Sequence, residues 1–194
     1  GTDNTAIGKD SLVTMTTGVN NTSVGASSAL RLTTGSQNAM FGHNAGDNVT
    51  TGSNNVLLGE SAGNDAMINV TTASTQIVLG NNASTNATIK IDWTVTSDLR
   101  DKTEIKDVKH GLDFINQITP IEYKFKKSRE DNTPTGDKKY GFKAQEILEL
   151  EGDNPVIINN KDTDALKITN SHLIPVLVNA IKELTARVKE LENE

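Results

Sequence analysis

The chain has no cysteine. Disulfides and thiolate chemistry are therefore excluded, and a zinc site would have to be built from histidine and carboxylate alone. Its histidines, His43, His110 and His172, are too scattered to suggest one, so neither a metal nor any other cofactor is expected. Aromatic residues are 4% of the sequence, and only Phe41 precedes Trp93; any core in the N-terminal half must form almost without rings. No apolar run approaches the roughly 18 residues that span a bilayer, and residues 1–11 lack the basic and apolar blocks of a signal peptide. A soluble chain without membrane insertion is expected, as is a cut at Gly1 from something longer. A basic excess is missing too: the net charge is −6, so nucleic acid is not an expected partner.

Charge is also unevenly spread. Residues 1–92 carry three basic and six acidic side chains, and residues 93–194 carry 16 and 19. A charge-poor, glycine-rich segment thus meets a charge-rich one near Trp93, which divides the 194 residues into two domains, 1–92 and 93–194.

The first segment repeats. NTAIG at 4–8, NTSVG at 21–25, NAMFG at 38–42 and NVLLG at 55–59 end in glycines 17 residues apart, and TTG closes on Gly18, Gly35 and Gly52 at the same step. A fifth copy, QIVLG at 76–80, arrives four residues late, which places an insertion around Asn64 to Asn69. Short β-favouring runs punctuated by Gly and Asn predict strands and turns rather than helices, with like residues of successive coils stacked about 4.8 Å apart. Ile7, Val24, Phe41, Leu58 and Leu79 are expected to form the inner row. With one or two large apolar groups per repeat, burial can hardly offset an ordering cost of roughly 1–2 kcal/mol per residue, which argues for a homotrimer around a fibre axis. The alternative is a monomeric solenoid held by its ladders. The Asn-x-Ser/Thr triplets at Asn21, Asn48 and Asn82 are expected by chance in such a composition, and stacked Asn and Asp rows could hold a cation, though the spacing does not demand one. The repeats resemble those of phage tail-fibre proteins and, more loosely, the β-roll heads of trimeric bacterial adhesins.

In the second segment TIKIDWTVT alternates, predicting a strand with Ile89, Ile91, Trp93 and Val95 on one face, followed by a turn or helix cap at Ser97 and Asp98. Leu112, Ile115 and Ile118 predict a helix from Asp107 to Pro120. IEYKF at 121–125 reads as a strand, residues 128–139 as a solvated hairpin loop, AQEILELE as a helix closed by Gly152, and Val156–Ile158 as a further strand. A final helix is predicted over 171–192. There Ile174, Leu177, Ile181, Leu184, Val188 and Leu191 are spaced 3, 4, 3, 4, 3, the a/d seam of a coiled coil, against the alternative of a helix packed on its own domain. Ile and Val at a with Leu at d favours two strands in isolated coils, but the seam is too short to overrule the trimer. The fold class is thus mixed: trimeric repeat β-structure of β-roll or β-helix type, then an α+β domain ending in a coiled-coil helix.

Ser97 and Lys102 stand five residues apart. A serine attacks an amide only when a base takes its proton, and a lysine serves if burial favours its neutral form. Alone, the pair reads as a helix-capping serine followed by a surface lysine. Around it stand SDLRDK at 97–102, Ile105, L-x2-I-x2-I-x-P-I-x-Y-x-F from Leu112 to Phe125, YGFKAQE at 140–146, NPV at 154–156 and LIPVLVNAIKEL at 173–184. In that order they resemble the C-terminal intramolecular chaperone domain of phage endosialidases and tail fibres, the S74 self-cleaving peptidases. A related domain occurs in the myelin regulatory factor. The family often has a tyrosine shortly before the last helix, where this chain reads KITNSH.

The resemblance implies Ser97 as nucleophile, Lys102 as general base and cleavage between Thr96 and Ser97 in a single turnover, with supporting roles for Asp98 and Arg100. It implies a tail fibre or tailspike assembled in the bacterial cytoplasm and carried on the virion, with a bacterial surface receptor as partner of the mature fibre. A structural or receptor-binding tip, capped by its C-terminal domain without cleavage, is the alternative.

Overall fold

The structure is a computed structural model and describes residues 1–65 and 68–193. It separates into two compact units, Gly1–Thr88 with Phe125–Gly136, and Ile89–Lys124 with Asp137–Glu194.

The repeat region is a parallel β-solenoid. Strands β1 (Thr5–Ile7), β2 (Thr22–Val24), β3 (Ala39–Phe41), β4 (Val56–Leu58) and β5 (Ile77–Leu79) form one sheet in chain order. Thr5 pairs with Thr22, Thr22 with Ala39, Ala39 with Val56 and Val56 with Ile77, so the step of 17 lengthens to 21 where the insertion was expected. There Asn64 and Asn69 bridge antiparallel; Ala66 and Met67, within the expected insertion, lie outside the described residues.

Polar ladders hold the coils. Asn21 Nδ2 donates to Asn4 Oδ1 (3.0 Å) and to Gly35 O (2.9 Å), and Asn38 Nδ2 repeats both bonds one coil later, to Asn21 Oδ1 (2.9 Å) and Gly52 O (3.0 Å). Asn38 Oδ1 accepts from Asn55 N, and Asn55 Oδ1 from Gln76 N. Asn21, Asn38 and Asn55 are buried; each amide is satisfied by neighbouring coils, which is the condition for burying such groups. Burial also removes Asn21 as a glycosylation acceptor. Thr16 and Thr33 hydroxyls donate to the carbonyls of Thr33 and Thr50 at 3.0 Å.

The expected inner row is reversed. Residues at the strand centres, Ser23, Met40, Leu57 and Val78, point inward, and Leu32, Ala45 and Val49 fill the rest of a narrow interior. Ile7, Phe41, Leu58 and Leu79 are exposed, Ile7 at 59%, and Val24 is half-buried. Because alternation allows one face only to point inward, the bulkier flanking residues are left outside.

In the second unit, the strand expected over Ile89–Val95 is absent. The stretch is not in a strand, and Ile89, Ile91, Trp93 and Val95 are all exposed: it finds no partner to pair with. The first helix is shorter than expected, a single turn α1 (Leu112–Ile115). Strands β6 (Ile121–Lys126) and β7 (Pro134–Gly141) form a two-stranded sheet, so Pro134–Lys139 belongs to a strand, not to the expected loop. Helix α2 (Ala144–Glu151) ends at Gly152, whose φ of 69° needs glycine. Glu151 accepts backbone N–H bonds from Val156, Ile157 and Ile158 at 2.7–2.9 Å, fixing the approach to β8 (Ile158–Asn159), which pairs antiparallel with β9 (Lys167–Ile168). Helix α3 (Leu173–Glu192) follows a 3-10 turn at Asn170–His172. Phe114, Ile147, Ile157, Ile158, Leu173 and Val176 make the core.

One glycine ladder is testable. Gly25 has φ +135°, and a Cβ there would lie 2.3 Å from Gly42 O. Gly25→Ala is expected to cost about 2–4 kcal/mol, read as a lower denaturant midpoint of the full chain, while exposed Thr34→Ala stays within about 0.5 kcal/mol.

Candidate functional site

One 3-10 turn, Leu99–Asp101, builds the site. Asp98 caps it: its carboxylate accepts Arg100 N–H at 2.9 Å, as expected of a short acidic side chain before a helical turn. The same carboxylate is gripped by the Arg100 guanidinium, Nη2 at 2.6 Å and Nε at 3.1 and 3.2 Å. At the other end Lys102 N–H donates to Leu99 O. The turn folds the chain back so that Lys102 Nζ donates to Ser97 Oγ at 2.8 Å. Ser97, Lys102 and Thr96 are exposed in the single chain, as are Leu99 and Ile105. Asp98 and Arg100, singled out from the sequence, thus brace the turn that joins the pair, without touching Ser97 Oγ or Lys102 Nζ themselves in any described bond.

The geometry places a hydroxyl beside an amine, the two groups needed for lysine-assisted attack on a carbonyl. What it does not supply is desolvation, since water reaches both. Among the described residues no group of three or more His, Asp or Glu is placed to hold a metal ion, and no helix is long and apolar enough to cross a membrane.

The last helix presents two faces. Leu173, Val176 and Ala180 are buried, and Leu173 and Val176 belong to the core shared with Phe114 and Ile147. The six residues of the heptad seam, Ile174, Leu177, Ile181, Leu184, Val188 and Leu191, are all exposed, Ile181 at 63%. The helix therefore does pack on its own domain, but through a face separate from the seam. Sequence reading missed the polar row that flanks the buried face on the side away from the seam. Asn179 Nδ2 donates to Val108 O and His110 O, Glu183 Oε2 accepts Leu112 N–H at 2.8 Å, and Arg187 pairs with Asp113 at 3.6 Å. Their i, i+4 spacing was the signal available: four-residue steps put 179, 183 and 187 on one line. An open groove of about 470 Å3 beside this row, lined by Lys109, His110, Glu149 and Glu183 among others, contains neither Ser97 nor Lys102.

Residues 97–154 match the family model described as Peptidase S74, chaperone of endosialidase. This segment is similar to the intramolecular chaperone domain of that family. The matched segment opens at Ser97 itself and includes the whole 3-10 turn, α1, the β6–β7 sheet and α2. No curated protein and no solved structure matches the chain.

The Asp98 carboxyl is held below its ordinary range, first by the Arg100 side chain and then by the Arg100 N–H. A lowered folded-state value means that the clamp is present above the ordinary aspartate range and is lost as pH falls through the lowered one. Protection of the Arg100 amide against hydrogen exchange is therefore expected to persist at pH 5 and to disappear only below about pH 4; Asp98→Asn should lower that protection already at pH 7. Equal protection in both proteins would show that the clamp does not order the turn.

Proposed function

We propose that this chain is the C-terminal part of a phage tail fibre or tailspike whose chaperone domain drives homotrimer folding and then removes itself by cutting between Thr96 and Ser97. The observation that carries the reading is the Lys102 Nζ–Ser97 Oγ hydrogen bond of 2.8 Å, placed where the chaperone match begins. The fibre setting is supported by the 17-residue coils, and assembly in the bacterial host followed by residence on the virion goes with it, as does a bacterial surface receptor.

In the reacting state the amine is neutral and the bond reverses, Ser97 O–H donating to Nζ. Ser97 Oγ adds to the Thr96 carbonyl carbon while Lys102 takes the proton; collapse breaks the Thr96–Ser97 C–N bond as Lys102 returns that proton to the Ser97 nitrogen, and water then hydrolyses the Thr96 ester to separate the two pieces. The reaction runs once per chain, within one chain or across one trimer. Exposure of the pair in the single chain gives the timing: burial that favours a neutral lysine must come from neighbouring chains, so cleavage follows assembly. Three chaperone domains associate first and hold three repeat segments parallel, which removes much of the entropic cost of starting a non-local β fold. Once the chaperone has gone, the fibre cannot refold and is kinetically trapped.

Wild-type protein is expected to give two bands on a denaturing gel, separated at Thr96/Ser97. Ser97→Ala and Lys102→Arg should stay full length, with cleavage slowed at least about 100-fold, because a guanidinium does not act as a base. A wild-type chain that remains uncut would leave the non-cleaving, receptor-binding tip as the reading.

A further inference from the structure

The β1–β5 sheet has an uncharged, largely apolar outer face on which Ile7, Phe41, Leu58, Ile77 and Leu79 are exposed and Val24, Ala39 and Val56 are half-buried. Its outward positions are Thr5 and Ile7, Thr22 and Val24, Ala39 and Phe41, Val56 and Leu58, and Ile77 and Leu79. Of these, Ile77 is 75% and Leu79 58% exposed. A surface of this kind marks a contact unless function explains it otherwise. From this we infer that the outward face of the solenoid sheet is the surface on which three copies of the repeat segment pack against one another, like coil against like coil. The inference rests on the homotrimer reading above and adds where the repeat segments meet.

Two features favour copies of this chain over another occupant. The first is charge. None of the ten outward positions is charged, so symmetry brings no like charges together. Just beyond the strands stand Lys9, His43 and Glu60, of which His43 and Glu60 lie 3.7 Å apart. That mixed border offers no basic rim for an anionic lipid surface.

The second is area. Five coils about 4.8 Å apart and three residues wide make a strip of roughly 200 Å2, well under the about 800 Å2 per partner of a stable interface. A partner that met only this strip would be held weakly. A second copy of this chain also brings an exposed helix seam of its own from Ile174 to Leu191, about 26 Å long at 1.5 Å per residue, which is further apolar surface for the same kind of partner.

Because alternation puts Met40 and Leu57 inside, Phe41 and Leu58 can be replaced without opening the coil interior. The chain has no cysteine, so single-cysteine variants report one position each. Phe41→Cys and Leu58→Cys, made separately in the full chain and mildly oxidised, are expected to give a disulfide-linked pair of chains on a non-reducing denaturing gel. Thr34→Cys, exposed on a TTG turn, should remain single. Each variant is also weighed by sedimentation equilibrium. Trimers that link at 41 and 58 but not at 34 support the inference. Trimers that link at none of the three, or equally at all, overturn it and leave the homotrimer reading standing. A monomeric mass overturns both.

Discussion

A coil of 17 residues encloses too little space for its own apolar side chains, and the rest of the molecule follows from that shortage. Inside fit one strand-centre residue from each of β2–β5 and a few neighbours such as Leu12, Leu32, Ala45 and Val49. The remaining bulk at Ile7, Phe41, Leu58 and Leu79 stands in water. The final helix repeats the pattern, burying Leu173 and Val176 while leaving a full heptad seam exposed. Two elements of unrelated geometry thus each carry a second apolar surface that their own fold does not use. At about 25 cal/mol per Å2 such surface is a substantial unrealised gain, and other copies of the chain are the reservoir proposed to supply it.

The amide ladder bears on why the proposed fibre would benefit from a template. Asn21 and Asn38 make the same two bonds to the coils on either side, so the ladder is satisfied equally well by any neighbouring coil. It rigidifies the solenoid without specifying which coil of one chain should meet which coil of another. Register between chains would shift by a whole coil at little cost. Lengthening of the last step from 17 to 21 breaks the equivalence at one end, and a domain that gathers the chains beyond that end would fix the remainder.

The solenoid was largely legible in the sequence, because glycine, asparagine and threonine recur at fixed offsets and each has a backbone reason to do so. Its inside and outside were not. Strand triplets such as VLL and IVL are apolar in both phases of the alternation, so period two cannot choose between them; the width of the coil does. The alternating run from Ile89 to Val95 failed for a related reason, since alternation describes how a strand would lie and not whether a partner is present. Five residues of separation between Ser97 and Lys102 were visible, but their meeting depends on the 3-10 turn between them and on the Asp98–Arg100 clamp, which spacing does not reveal. Glu183 and Asn179 looked like ordinary helix-surface residues, and only tertiary packing shows that they hold the 108–112 segment.

An exposed serine and lysine in hydrogen-bond contact make a site that is assembled but not yet dry. That state suits the proposed single cleavage after assembly. Copies of the same chain are proposed to close the open apolar rows. Sedimentation equilibrium of the full-length Ser97→Ala protein is then expected to give a single species of three times the 20.8 kDa chain mass; a stable species at the mass of one chain, unchanged as concentration rises, would rule that closure out.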